Sequence, residues 1–412
     1  MSAETRAWRM IALAALVALA LRLLFGLSYW VGKPLTHDER EYLALAHSLA
    51  AGRGFSYPPE HESGTAQQFG RAPVYPLFLA AIGVTEPAEE GAPARVKGVQ
   101  SALGAIVVLL IAALTKRAAG RQAAVLASWI AAVYPPLVWF PAYVLSETLF
   151  SLFALATALV LQIAVARASD PAKQGDARRF TLFAGALAAV AALTRPAMLF
   201  FIPLAAIWLL RLRRSLLAMA FVAAAIAVVA PWTARNARVY GRFILIASEG
   251  GVTFWTGNHP LSRGEGDLAA NPELKRAELE FRRSHPGLTA EELEPLYYRD
   301  TLDRIAAHPI WWLGLLAKKA FYTVVPAGPS YALHSARYRI ASIASYVIIF
   351  PVALYGIVKL AQVSEPPIAL VLLVCSSVLV CLIFFPQERF RVPIIDPALI
   401  VAASAGLRRP HP

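Results

Sequence analysis

SLLAMAFVAAAIAVVAPW, residues 215–232, lies between Arg214 and Arg235 with no charged side chain inside it. A helix through it is about 27 Å long at 1.5 Å per residue, close to the roughly 30 Å hydrocarbon core of a bilayer. Lipid offers the backbone no hydrogen-bond partners, so such a run must satisfy its peptide groups internally, as a helix. Working outward, comparable runs fall at about 8–30, 96–115, 122–140, 143–166, 179–194 and 197–210, then at 340–360, 366–385 and 392–407. The strict alternation that marks a membrane β-barrel is missing. The chain is 58% hydrophobic and 16% charged, whereas soluble domains are about 45–50% apolar and about 25% charged. These patterns predict an all-α integral membrane protein with about ten transmembrane helices.

The formal charge of +13 raises the question of nucleic acid. The basic residues gather at the ends of the apolar runs, where membrane anchors sit, and no basic soluble domain is left over. The expected partners therefore include membrane lipids and no nucleic acid. Cys375 and Cys381 share one apolar run and are spaced for neither a metal nor a disulfide framework. The first run, about 8–30, is too long for a signal-peptide core and is read as a retained span.

Basic residues also orient the chain. Lys116, Arg117 and Arg121 form one group, and Arg167, Lys173, Arg178 and Arg179 a second. Arg211, Arg213 and Arg214, then Lys359, then Arg408 and Arg409 follow. With the N-terminus inside, all of them fall on the cytoplasmic face. The loops 31–95 and 233–339 and the short turns near 134–147, 194–196 and 387–393 then share the outer face. This division predicts a transmembrane module over 1–232 with its functional loop at 31–95, an outer loop with amphipathic helices over 233–339, and C-terminal transmembrane helices over 340–412. Localisation is expected to be a bacterial inner (plasma) membrane, multi-pass, with chemistry on the periplasmic or extracellular side.

The outer loops carry short helical patterns. In LTHDEREYLALAHSLA, residues 35–50, Leu35, Asp38, Tyr42, Leu45 and Leu49 step by three and four along one stripe. Residues 73–83 form a second helix, too short to span. The stretch 273–309 reads as a solvated helical pair, and 310–325 as an interfacial helix interrupted by Lys318 and Lys319.

Asp38 is the leading catalytic candidate, because a carboxylate on an apolar stripe is costly unless it has a partner or a task. Glu39 fits both catalysis and a capping box with Thr36. His37 beside the two acids leaves a divalent metal near His37, Asp38 and Glu39 possible on chemistry alone; no cofactor is otherwise indicated. Five arginines stand at outer ends: Arg71, Arg195, Arg235, Arg389 and Arg391. The guanidinium fork matches phosphate oxygens, while headgroup anchoring accounts for any one of them. Glu147 opens a span and is placed to pair with one of these arginines. Arg22, inside the first span, is expected to face the bundle and meet an acid.

At these residues the chain resembles the GT-C glycosyltransferases, specifically the bacterial relatives of dolichyl-phosphate-mannose protein mannosyltransferases and lipid A aminoarabinose transferases. The matching segments are THDEREYLALAHSLAAGRGFS, GRAPVYPLFLA, YPPLVWFPAYVLSETLF, ALTRPAM, PWTARNARVYGRF, GNHP and ERFRVPIIDP, in that order. The resemblance implies a GT-C fold, with a seven-helix module and membrane-surface helices in the first outer loop. It also implies inverting transfer of a hexose or pentose from a polyprenyl-phosphate carrier to a lipid, glycan or protein hydroxyl. It maps the acidic pair onto Asp38 and Glu39, and the donor-phosphate positions onto outer-end arginines, Arg71 most directly. Tyr42, Tyr75, Asn236 and Asn258, with His37, Glu147 and Arg22, are the supporting residues it suggests. The larger relatives carry a sizeable soluble C-terminal segment that these residues are not expected to form, which leaves the acceptor open. A transporter or flippase is the competing class; it would place its charges near the bilayer midplane.

Overall fold

The computed structural model describes residues 2–57, 70–84, 91–266 and 268–407, and among them every regular element is helical. The helices are α1 (Ala3–Leu24), α2 (His37–Ala50), α3 (Val74–Ala81), α4 (Ala94–Val133), α5 (Pro135–Trp139), α6 (Glu147–Arg167), α7 (Gln174–Thr194), α8 (Phe201–Arg211) and α9 (Ser215–Tyr240). They continue as α10 (Gly250–Gly257), α11 (Pro272–Arg283), α12 (Ala290–Ala307), α13 (Pro309–Val324), α14 (Ala336–Ala361), α15 (Ile368–Ile383), α16 (Glu388–Arg391) and α17 (Ile395–Gly406).

Among the described residues, six helical segments are long and apolar enough to cross a bilayer: 3–29, 94–133, 147–167, 171–194, 215–240 and 336–361. Three shorter apolar segments, 196–211, 368–383 and 395–406, complete the set. The expected span at 96–115 and most of that at 122–140 fall in the 40-residue α4. A straight helix of that length would run about 60 Å, twice the hydrocarbon thickness. Gly120 breaks it with φ 85° and ψ −177°, a backbone state glycine reaches because it has no Cβ. Its second limb stops at Val133, earlier than expected, because Pro135 and Pro136 start the separate α5.

The helices pack through small residues. A Cβ on Gly185 of α7 would lie 2.3 Å from the Phe221 carbonyl oxygen of α9, and one on Gly356 of α14 would lie 1.7 Å from that of Ala402 in α17. These are backbone-on-backbone crossings, which membrane helices use where lipid supplies no hydrophobic drive. One core cluster runs from Ala14 to Ala405, so α17 at the end of the chain packs with α14 against α4. The outward faces stay apolar: Leu216, Met219, Ile226, Ile340 and Ile348 are all exposed, as lipid-facing residues should be.

Ion pairs mark the two ends of the bundle. Lys116 meets Glu4 at 3.3 Å, Arg117 meets Glu365 at 3.7 Å and Arg167 meets Asp176 at 3.1 Å. Arg214 donates to Ser169 Oγ at 3.0 Å. Most of the basic groups expected to share a face thus lie together at one end; Arg408 and Arg409 lie outside the described residues. The loops with α2, α3 and α10–α13 lie at the other end. There the stretch read as a solvated helical pair has its own core, in which Trp255, Leu274, Leu293 and Tyr297 are buried. Some charges of α11 and α12 turn into that core: Glu278 is buried and accepts from the Tyr297 hydroxyl at 2.7 Å, and Asp300 accepts from Trp255 Nε1 at 2.6 Å.

Candidate active site

Thr36 and Glu39 start α2. The Thr36 backbone N–H and hydroxyl donate to Glu39 Oε2 at 2.8 and 2.9 Å, and the Glu39 N–H returns a bond to Thr36 Oγ1 at 3.4 Å. Glu39 Oε1 accepts from the Val144 N–H at 2.9 Å, which docks the α5–α6 turn on α2. Both carboxylate oxygens are thereby engaged, and Glu39 is buried. Of its two readings, capping is the one the geometry occupies.

Asp38, one residue earlier, points elsewhere. Its Oδ1 accepts from Arg71 and its Oδ2 from Arg389, each at 2.5 Å. Arg71 reaches further, with Nε donating to Glu41 Oε2 at 2.7 Å and one NH group facing Glu249 Oε2 at 3.4 Å. Its guanidinium lies 5.3 Å from the Tyr42 ring. Arg389 Nε donates to Glu147 Oε1 at 2.8 Å, and Arg195 pairs with the same oxygen at 2.6 Å. Three arginines and four carboxylates, from α2, the loop before α3, α6, the α7–α8 turn, the loop before α10 and α16, therefore form one continuous cluster at one end of the bundle.

The charges shape one another. The Asp38 side chain is 23% exposed; burial would raise its pKa, but the Arg71 and Arg389 guanidiniums outweigh that and hold it far below the usual carboxylate range. Burial raises Glu249 to about 7, against the pull of Arg71 and with the help of Glu41 and Asp38. Glu41 is lowered against its burial by bonds to His37 and Arg71, and His37 is raised by its bond to Glu41. Such a site can stabilise an entering anion and still retain a carboxylate as proton acceptor.

Other expected residues lie apart from the cluster. Arg235 donates to the Phe55 carbonyl at 3.3 Å and stacks 4.9 Å from the Trp232 ring. Arg391 is buried against Asp396 at 2.8 Å and over Tyr346. Of the five outer arginines, the structure gathers Arg71, Arg195 and Arg389, because guanidiniums at one end of a bundle still face different directions around it. Asn236 donates to the Ile244 and Ile246 carbonyls at 3.0 and 3.3 Å, closing the turn after α9. Asn258 donates to the Ile383 carbonyl at 2.9 Å and accepts from Lys319 at 2.8 Å. Tyr42 shares a hydroxyl contact of 3.4 Å with Ser146, and Tyr75 donates to Gln100 at 3.0 Å; they pack the floor beneath the cluster. Arg22 is buried, as expected, but meets backbone carbonyls, those of Ala18, Ala132 and Ala131 at 3.0, 3.2 and 3.3 Å, and no acid.

Among the described residues no group of three His, Cys, Asp or Glu side chains is arranged to hold a metal ion. His37 pairs with Glu41, Asp38 with arginines and Glu39 mainly with backbone, so the three diverge and a metal, left open there on chemistry alone, does not fit them. Glu41 and Glu249 were missing from the expected set. Glu41 had a signal, since it follows Asp38 by three on the same helical face; Glu249, in an aperiodic loop, had none.

No family model and no curated protein matches the chain. Solved structures do. The archaeal oligosaccharyltransferase AglB from Archaeoglobus fulgidus, in complex with an inhibitory peptide and a dolichol-phosphate, superposes with a TM-score of 0.60 at 16% identity over 98% of this chain and 50% of that one. The Archaeoglobus fulgidus oligosaccharyltransferase in its apo form gives a TM-score of 0.58 at 17% identity over 97% and 50%. ArnT from Cupriavidus metallidurans, bound to undecaprenyl phosphate, reaches a TM-score of only 0.45 at 15% identity over 98% and 78%, too low to add to the fold. The chain spans about half the length of the oligosaccharyltransferases it matches, and it has the GT-C fold.

Proposed function

We propose that the protein is an inverting glycosyltransferase that moves a sugar from a polyprenyl-phosphate carrier to a hydroxyl of a cell-envelope acceptor, on the outer face of a bacterial plasma membrane. The observation that carries this reading is the sharing of Asp38, on a membrane-surface helix, between Arg71 and Arg389 at one end of a GT-C bundle. The AglB structure, which has a similar fold, is in complex with a dolichol-phosphate, and this supports a polyprenyl-phosphate carrier here.

The chemistry follows from the charges. The acceptor O–H attacks the anomeric carbon and loses its proton to Asp38. The bond between that carbon and the phosphate oxygen breaks, and the lipid phosphate leaves with the electron pair. Arg71, with Arg389 and Arg195, takes up the charge that develops. Asp38 bound by two guanidiniums is a weak base. A phosphate that draws Arg71 and Arg389 away raises its basicity at the moment a base is needed. Glu249, with a pKa of about 7, is the carboxyl beside Arg71 that can yield to an anion by taking a proton.

A transporter would hold its charges at mid-depth; among the described residues the linked arginines and carboxylates gather at one end of the bundle. The test is transfer by purified, reconstituted protein from a synthetic polyprenyl-phosphate sugar, guided by mass spectrometry of envelope glycolipids and glycoproteins from cells with and without the gene. Unchanged envelope glycans and no transfer from any such donor would sink the reading.

A further inference from the structure

Arg22 and Glu147 both line one small cavity. It is lined by Arg22 of α1, Gly104 of α4 and Pro141, by Glu147, Thr148 and Ser151 of α6, and by apolar side chains. It has room for one water and too little for an organic ligand. Both charged side chains are 1% exposed. Each has one polar atom without a hydrogen-bond partner: Arg22 Nε, a donor, and Glu147 Oε2, an acceptor. Their other atoms are committed. The Arg22 NH groups hold three carbonyls, and Glu147 Oε1 holds Arg195 and Arg389.

Gly104 keeps the space open: a Cβ there would lie 2.8 Å from Arg22 Nε and 3.3 Å from Pro141 Cγ. The walls are mostly apolar, so the unpaired donor and the unpaired acceptor are the polar groups a water there would meet, and leaving either unpaired in a low-dielectric interior is costly.

We propose that this cavity binds one structural water that accepts from Arg22 Nε and donates to Glu147 Oε2, and that Arg22 is through it a positioning residue for the active cluster. The chain of contacts is Arg22, water, Glu147, then Arg195 and Arg389, and from Arg389 to Asp38. It joins the deep arginine to the surface cluster and answers the missing acid: Arg22 meets Glu147 across a water. Glu147 then holds Arg195 and Arg389 in one orientation, because its second oxygen is fixed as well as its first. This step rests on the proposed transferase reading only where it concerns rate; the water itself does not.

Two measurements test it. A structure of the full chain in lipid, at a resolution that shows ordered water, is expected to have density within hydrogen-bond distance of both Arg22 Nε and Glu147 Oε2. Gly104→Ala, which intrudes on the cavity while keeping every charge, is expected to displace that density, turn the Glu147 carboxylate and lower kcat per folded molecule about tenfold or more. Arg22→Met is expected to do the same, but it removes a buried charge too, so Gly104→Ala decides if Arg22→Met does not fold. A purely structural role for Arg22 would reduce the folded yield and leave kcat per folded molecule alone. No density at the bridge, or an unmoved Glu147 and wild-type turnover in Gly104→Ala, overturns the proposal. If wild type transfers no sugar at all, the transferase reading fails, and the bridging density and the Glu147 orientation in Gly104→Ala still decide this one.

Discussion

Asp38 was legible at the scale of the residue because a carboxylate on an apolar helical stripe stands out, yet its two arginines come from 33 and 351 positions away. Asp38→Asn keeps the shape and removes the proton acceptor. Transfer is expected to fall by roughly 10²–10⁴-fold while the protein folds, and near-normal turnover removes Asp38 from the mechanism. Arg71→Lys keeps the charge and loses the fork that spans Asp38 and Glu41. It should be impaired, less so than Arg71→Ala, in transfer from a synthetic donor; equal rates in all three would move the phosphate site elsewhere. Glu39→Gln should cost about 1 kcal/mol in thermal unfolding with turnover per folded molecule kept. Glu249 carries the pH dependence. Its pKa is raised from 4.5 to about 7 on folding, so the folded protein keeps a proton that the unfolded chain has lost. Its stabilising effect is full below 4.5 and fades as pH rises through about 7. Once neutral it leaves Arg71 less compensated, so donor-phosphate binding should tighten from about pH 8 to about pH 6. Glu249→Gln should flatten that slope, and an unchanged slope in the variant would exclude Glu249.

At the scale of the element, periodicity located α2 and α3 to within a few residues, because one face of each must be apolar to lie on the bundle. It did not reveal what α13 does. Lys319 looked like an interruption of an interfacial helix. It is instead buried, donating to Asn258 Oδ1 at 2.8 Å and to the Leu382 carbonyl at 3.0 Å. This knot ties α10, whose N-cap is Glu249, to the end of α15, whose following residues carry Arg389. Lys319→Met leaves Asn258 and the carbonyls at the end of α15 without their donor. It should lower stability by about 2–3 kcal/mol, read as a drop in Tm, with a loss of transfer as Arg389 loosens. An unshifted Tm would mean the knot holds nothing. The crossings at Gly185 and Gly356 were unreadable in advance for a related reason: a glycine in an apolar run signals close approach only once its neighbour is known.

For the whole molecule, the expected topology has testable consequences: reporters fused after residues 90 and 260 should report outside, and one after 170 inside, and a reversed result would move the proposed chemistry to the other face. The division into membrane runs and polar loops was determined by sequence alone, because lipid forces each spanning backbone to close its own hydrogen bonds and so leaves a local, contiguous signature. The helical fold class, the surface helices and the gathering of polar residues at one end follow from that signature and from charge placement. Which polar residues meet was decided only in three dimensions. Arg71, Arg195 and Arg389 converge on Asp38 and Glu147, while Arg235 and Arg391 turn away into Trp232 and Asp396. Depth in a membrane is written along the chain, but rotation about a helix axis relative to distant neighbours is not. That rotation is set by packing, and it determines which arginines face the carboxylates.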